Sequence, residues 1–288
     1  MQSGRIIKAL AGFYYVEYNG ALYQTRARGL FRKTEESPIV GDFVDFQIEN
    51  ETDGYITNIH DRKNELKRPT VANIDQVIVT MSLKSPEFSF YLLDRFLAYV
   101  EAHDIRPIIV VTKLDLLEDE SLIDTISDTY DEIYPIYFTD QNEINTDLLE
   151  IFEDKVTVLA GQSGVGKSSL LNTLLPELAL KTDDISKSLN RGKHTTRHVE
   201  LVKIGGGLIA DTPGFSTIEF SDIDKYNIKY CFKEFNDYQN ACKFRECMHI
   251  SEPQCKVREA LKSGDIKQSR YDSYIAIFKE IENRKERY

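Results

Sequence analysis

Thr112-Lys113-Leu114-Asp115 and, well downstream, Gly161-Gln162-Ser163-Gly164-Val165-Gly166-Lys167-Ser168 decide how this chain folds. The second stretch fits the phosphate-loop pattern GxxxxGK(S/T) at every fixed position. Val156-Thr157-Val158-Leu159 leads into it as a short β-branched run, and Ser169-Leu170-Leu171-Asn172 continues as the start of a helix. A strand feeding a glycine-rich turn that opens a helix is the context the pattern requires. Backbone N–H groups of Gly164 to Ser169 can wrap phosphates at the helix N-terminus, where the dipole favours anions. Lys167 is placed to reach the β- and γ-phosphates, and Ser168 to hold Mg²⁺.

The first stretch follows Ile108-Ile109-Val110-Val111 and has the form of a guanine-specificity motif. Asp115 can accept hydrogen bonds from guanine N1–H and the 2-amino group. Adenine lacks both donors in that arrangement, so discrimination should be steep. The Lys113 stem can cover the base. Thr112 stands where Asn is usual; it is shorter and has one donor proton. Asp211-Thr212-Pro213-Gly214, after Gly207-Leu208-Ile209-Ala210, has the DxxG form of a second switch. There Asp211 is a magnesium candidate, and the Gly214 N–H a γ-phosphate contact. The base-reading motif thus precedes the phosphate loop, the reverse of the usual order. The parts of a nucleotide switch are all present, but the chain has been cut and rejoined elsewhere.

Between Lys181 and Lys203 lies a candidate first switch, Ser188-Leu189-Asn190-Arg191-Gly192-Lys193-His194-Thr195-Thr196-Arg197-His198. Either Thr195 or Thr196 is the magnesium-closing threonine. Just after DxxG, where a water-orienting Gln is common, this chain has Phe215, which cannot orient water. His194 is the nearest polar candidate for that role; a surface or RNA-contacting histidine is the alternative.

Short β-branched runs at Val77 to Val79, Ile108 to Val111 and Val156 to Leu159 suit strands buried on both faces. Helical stretches lie between them, at Phe90 to His103 and Leu122 to Tyr130. The alternation indicates an α/β doubly wound domain. Residues 1 to 68 read as β. Asn19-Gly20 sits between Tyr14 to Tyr18 and Ala21 to Gln24 as a hairpin signal, and further short strands lie at Gly41 to Ile48 and Gly54 to Ile59. Such a run of short strands suggests a small barrel; the OB type is one candidate, and an SH3-like barrel would read the same. Ser269 to Arg287 has helix-period apolar spacing.

The four cysteines, Cys231, Cys242, Cys247 and Cys255, all lie in the last quarter of the 288 residues. Cys242, Cys247, His249 and Cys255 form Cys-x4-Cys-x-His-x5-Cys: three sulfurs and one nitrogen, a closed tetrahedral zinc set and hence a structural site. A disulfide beside a bystander histidine is the alternative. Cys231, in Tyr230-Cys231-Phe232, reads as core. No signal-peptide pattern and no spanning apolar run is seen, so a cytoplasmic protein without a membrane partner is expected; a monomer is expected as well. The net charge of -11 argues weakly against nucleic acid. Much of the acid, however, falls between Asp115 and Asp154. Basic residues gather at Arg26, Arg28, Arg32 and Lys33, at Arg62, Lys63, Lys67 and Arg68, and at Lys187, Arg191, Lys193 and Arg197. These clusters point to an anionic partner.

Taken together, TKLD before GQSGVGKSS, then Gly192 to Thr196, DTPGF and the Cys/His cluster resemble the ribosome small-subunit-dependent GTPase A family of circularly permuted bacterial GTPases. The resemblance covers nearly the whole chain. It implies an OB-like, RNA-binding barrel over 1–68, a permuted GTPase domain over 69–222 and a mainly helical zinc-binding domain over 223–288. It further implies binding to the 30S subunit and its 16S rRNA, action late in subunit maturation, and hydrolysis of GTP to GDP raised by the subunit. His194 matches a histidine implicated in hydrolysis in that family. The competing class is an RNA-binding module that uses nucleotide only as a structural ligand.

Overall fold

The computed structural model describes residues 1–27, 37–50, 53–117, 119–140, 147–174, 199–204, 206–215 and 217–284. The chain forms two compact units. The first comprises Met1–Val77, Asn142–Leu159 and Lys167–Phe215; the second comprises Ile78–Gln141, Ala160–Gly166 and Ser216–Tyr288.

The first unit opens with β1 (Gln2–Leu10), β2 (Phe13–Tyr18), β3 (Ala21–Ala27), β4 (Phe43–Ile48) and β5 (Asp53–Ile59). Asn19 and Gly20 take φ of 50° and 76°, the left-handed pair that a two-residue hairpin needs, and Tyr18 then faces Ala21. Strand β3 pairs with β5 in parallel and β5 with β4 antiparallel. Strand β4 returns to β1, with Gln2 opposite Phe46 and Arg5 opposite Phe43. The circuit β1-β2-β3-β5-β4-β1 is therefore closed, which leaves no free sheet edge within it. Register shifts between Ile6 and Lys8 in β1, and between Asp45 and Phe46 in β4, supply the bends that closure requires. Ile6, Val16, Val44, Phe46 and Ile56 fill the interior and are fully buried. The pairing is that of the OB-like barrel.

The same unit contains β6 (Glu65–Lys67), β7 (Thr70–Ala72), α3 (Asp147–Glu150), β11 (Val156–Ala160, its last residue in the second unit), α4 (Lys167–Leu174), β12 (Glu200–Ile204) and β13 (Gly207–Phe215). The strand order here is β11-β13-β12-β1-β2-β3-β5-β4. Barrel strand β1 thus also pairs with β12, Lys8 facing Glu200 with an ion pair of 2.8 Å. Gly207 is required by contact: a Cβ there would lie 1.9 Å from the Phe152 carbonyl oxygen. Arg62, one of the basic residues noted in the sequence, is engaged by Asp42 at 2.7 Å and Glu65 at 2.6 Å. Its charge braces the loop at Asp42 and is already neutralised.

The second unit continues β8 (Gln76–Ser82), which starts in the first, with α1 (Phe90–Glu101), β9 (Arg106–Thr112), α2 (Ser121–Tyr130) and β10 (Ile136–Phe138). Strand order is β10-β9-β8, with β10 and β9 parallel. Ser89 caps α1 by accepting from Leu92 N–H at 3.2 Å. The C-terminal part adds the short helical turn α5 (Asn236–Gln239) and the helices α6 (Lys256–Ser263) and α7 (Gln268–Glu282). Helix α7 packs on α1 around a buried charge cluster. Arg270 donates to Asp94 at 2.6 Å and holds Glu234 in a two-point fork at 2.7 and 2.9 Å, while Tyr130 donates to Asp94 at 2.8 Å. Burial pushes the Asp94 carboxyl upward, and Arg270 is the main group pulling it back. Among the described residues no helix is long and apolar enough to cross a membrane.

Candidate functional site

In the second unit the two deciding stretches meet. Strand β9 ends at Thr112, which is 6% exposed. Its hydroxyl oxygen lies 2.5 Å from the Val165 carbonyl of the phosphate loop and 3.1 Å from the Met81 carbonyl of β8. Lys113 turns the chain with φ 63° and ψ 40°, a left-handed conformation costly for a side-chain-bearing residue and concentrated at functional sites. Its ammonium donates to the Ser85 carbonyl. A single 3-10 turn, Leu114–Leu116, then leaves Asp115 exposed.

The loop from Gly161 to Gly166 is shaped by its glycines. Gly161 has φ 136°, and a Cβ there would stand 2.2 Å from the Thr80 carbonyl oxygen. Gly166 has φ 93°, and its Cβ would meet Thr112 Oγ1 at 3.5 Å. Val165 is buried between them while Gln162, Ser163 and Gly164 are exposed. The loop passes without a break into α4 of the first unit. There Lys167 is half-buried, and desolvation lowers its pKa; an arriving anion would reverse that cost. Ser168 and Ser169 are exposed. Asp211 and Gly214 lie in β13, with Asp211 opposite Glu200 of β12, and Phe215 is buried.

Sequence reading missed one neighbour of the base-reading motif. Thr139, which follows the short strand β10, is 6% exposed. Its N–H donates to Val111 at 2.9 Å, and its carbonyl accepts from Leu114 N–H at 3.4 Å. The run Ile136-Tyr137-Phe138 was the available signal; three residues are too few for periodicity to speak. His194, Thr195 and Thr196, together with Lys187, Arg191, Lys193 and Arg197, lie outside the described residues, as do Arg28, Arg32 and Lys33.

The second cluster lies in the C-terminal part of the same unit. Donor atoms of Cys242, Cys247, His249 and Cys255 all lie within 4.8 Å of one another. His249 Nδ1 is 3.3 Å from Cys255 Sγ and 3.7 Å from Cys242 Sγ. Around one tetrahedral ion with metal–sulfur bonds of about 2.3 Å, such donors stand roughly 3.5 to 3.8 Å apart. None of the four cysteines is in a disulfide, so the paired alternative is not the one adopted. Burial pushes the Cys247 thiol up to about 12, and burial, with Lys229 beside it, pushes the His249 imidazole down to about 4. The neutral imidazole is the ligand form, and the desolvated thiols would be drawn to thiolates by a cation. The residues fit a metal ion with an S₃N set.

Surrounding groups hold the ligands. Lys256 N–H donates to Cys242 Sγ at 3.3 Å, the Lys229 ammonium to the Cys247 carbonyl at 3.1 Å and the Tyr271 hydroxyl to the His249 carbonyl at 2.6 Å. Glu252 accepts from the N–H groups of Met248, Ile250 and Ser251. Cys231 is buried in an apolar stretch, outside the cluster, its thiol pushed up to about 12 by burial.

A phosphate loop tied to a guanine-type motif that precedes it, in a chain that also carries a closed small barrel and a Cys/His cluster, defines a circularly permuted GTPase of mixed α/β class. Family models agree: "RsgA GTPase" matches residues 59–221 and "RsgA N-terminal domain" residues 3–56. The chain belongs to the RsgA GTPase family, whose members are GTP-hydrolysing enzymes. It is 50% identical over 298 residues to the small ribosomal subunit biogenesis GTPase RsgA of Bacillus subtilis (strain 168), with all of both chains covered. Identity to the protein of the same name from Shouchella clausii (strain KSM-K16) is 48% over 293 residues, again over all of both. Among solved structures it matches YloQ, a circularly permuted GTPase, at TM-score 0.85 and 45% identity, covering 100% of this chain and 97% of that one. YjeQ from Thermotoga maritima matches at TM-score 0.86 and 35% identity, with 99% of each covered.

Proposed function

We propose that the chain binds the 30S ribosomal subunit through its 16S rRNA, acts in late maturation of that subunit, and hydrolyses GTP in a step that the subunit stimulates and that releases the protein. The observation that carries the nucleotide part is the bond between Thr112 and Val165, which joins the base-reading motif to the phosphate loop that follows it in sequence. The subunit part is supported by the name that relatives of about half identity bear. The chain is read as a cytoplasmic monomer in three parts: the OB-like barrel of 1–68 as an RNA grip, the permuted GTPase of 69–222, and the zinc-binding part of 223–288.

In this reading Thr112, Lys113, Leu114 and Asp115 receive the guanine end, and Gly161 to Ser169 take the phosphates. Ser168, Asp211 and one of Thr195 and Thr196 hold Mg²⁺, and the Gly214 N–H reaches the γ-phosphate. His194 orients the attacking water in place of the missing Gln. Zinc held by Cys242, Cys247, His249 and Cys255 leaves no open position and serves structure.

Mixing purified chain with 30S subunits, 50S subunits or neither, and following phosphate release, tests the proposal. Faster release with 30S alone is the expected result. Equal rates in all three would leave a GTPase with another partner. Negligible release in all three, with nucleotide bound, would favour an RNA-binding module that keeps nucleotide as a structural ligand.

A further inference from the structure

We propose that Thr112, although it belongs to the base-reading motif, is a positioning residue for the phosphate end of the nucleotide and makes no base contact. The inference rests on the nucleotide reading above and assigns one residue a different part in it. A threonine hydroxyl has a single proton to donate. The Thr112 hydroxyl lies between two acceptors, the Val165 carbonyl at 2.5 Å and the Met81 carbonyl at 3.1 Å. Neither can give a proton back, so the donor is spent within the protein, and the shorter distance assigns it to Val165. The side chain is 6% exposed, which leaves it little surface for a base edge.

Consequences follow from the geometry of the peptide group. C=O and N–H of one peptide point to opposite sides of a rigid plane. A Val165 carbonyl held toward Thr112 therefore directs the Gly166 N–H away from β9. Gly166 has φ 93°, a conformation that glycine adopts without steric cost. The same freedom lets the Val165–Gly166 peptide flip when nothing holds it. A flip would replace an N–H by a carbonyl oxygen in a loop whose purpose is to present donors to phosphate. Thr112 thus selects one of two peptide orientations, and the effect is felt at the phosphates.

The test compares the unmodified chain with Thr112→Val, Thr112→Ala and Thr112→Ser, using GDP, ADP and guanosine as probes. Removing the hydroxyl should weaken GDP binding about tenfold, the effect of one buried hydrogen bond. The GDP-to-ADP preference and the affinity for guanosine, which has no phosphate, should stay unchanged. Thr112→Ser keeps the hydroxyl and should stay within about threefold of the unmodified chain. Hydrogen exchange of the nucleotide-free Thr112→Ala chain should rise across 161–168 and not across α1, a readout available should Thr112→Val fold poorly. Guanosine and GDP weakened alike, or a collapsed GDP-to-ADP preference, would overturn the inference in favour of a base contact. Unchanged GDP affinity in Thr112→Val, or unchanged exchange in Thr112→Ala, would overturn it outright. An unmodified chain that fails to bind GDP would instead defeat the nucleotide reading beneath it.

Discussion

Asp115 is exposed on its 3-10 turn, and its role is a matter of donor and acceptor count. The carboxylate offers two acceptors, matching the two donors of the guanine edge. Asp115→Asn replaces one acceptor by a donor and so complements xanthine, which carries a carbonyl in place of the amino group. The GTP-to-XTP preference should move by about a thousandfold toward XTP, measured by competition against a fluorescent nucleotide. His194 is argued from the residue just after DxxG: Phe215 is buried and apolar, so it neither reaches for nor orients water. His194→Ala should lower subunit-stimulated turnover by about a hundredfold or more and leave GTP affinity nearly intact. Unchanged turnover would return His194 to a surface contact.

Among elements, the Cys/His cluster and the charge cluster make opposite demands. One closed site should bring a single zinc per chain through purification, measurable by metal analysis. His249→Ala removes one of four donors and should cut retained zinc and expose 242–263 to exchange while sparing nucleotide binding. The α1–α7 pairing depends on Arg270, which is 1% exposed between Asp94 and Glu234. Arg270→Met fills the space but leaves Asp94 buried without its cation, at a cost of about 3–5 kcal/mol, read as a lower urea midpoint. Adding Asp94→Asn should recover part of that loss, because it removes the orphaned charge. The barrel, the β-branched strands and helices α1, α2 and α7 were legible in the sequence, because each carries its own periodicity or turn signal. Strand β10 was not, nor was the choice between OB-like and SH3-like barrels. That choice lies in the return of β4 to β1, a pairing that local pattern does not encode.

For the whole molecule, the permuted order makes the C-terminal helices follow Asp211–Gly214 in sequence. Arg95 on α1 sits where the segment between them passes. It donates to the Ile218 carbonyl at 3.1 Å, lies over the Phe220 ring at 4.9 Å and pairs with Glu280 of α7. Arg284 donates to the Phe220 carbonyl. Ile218 and Phe220 are thus joined to α7 through Arg95. Arg95→Ala should raise hydrogen exchange of 217–223 and of α7 together and leave GDP affinity unchanged; independent responses would show that the two are not linked there. The sequence by itself determined the order of the motifs and which residues are proposed for phosphate, guanine and metal. Each motif is carried by residues a few positions apart, whose chemistry fixes their use. Tertiary structure alone decided the use of Thr112, bonded to a residue 53 positions away, the neutralisation of Arg62 by Asp42, and the burial of Arg270 against Asp94, 176 positions away. The physical reason is that a side chain's identity states which bonds it can make, while only the folded chain brings it the partner.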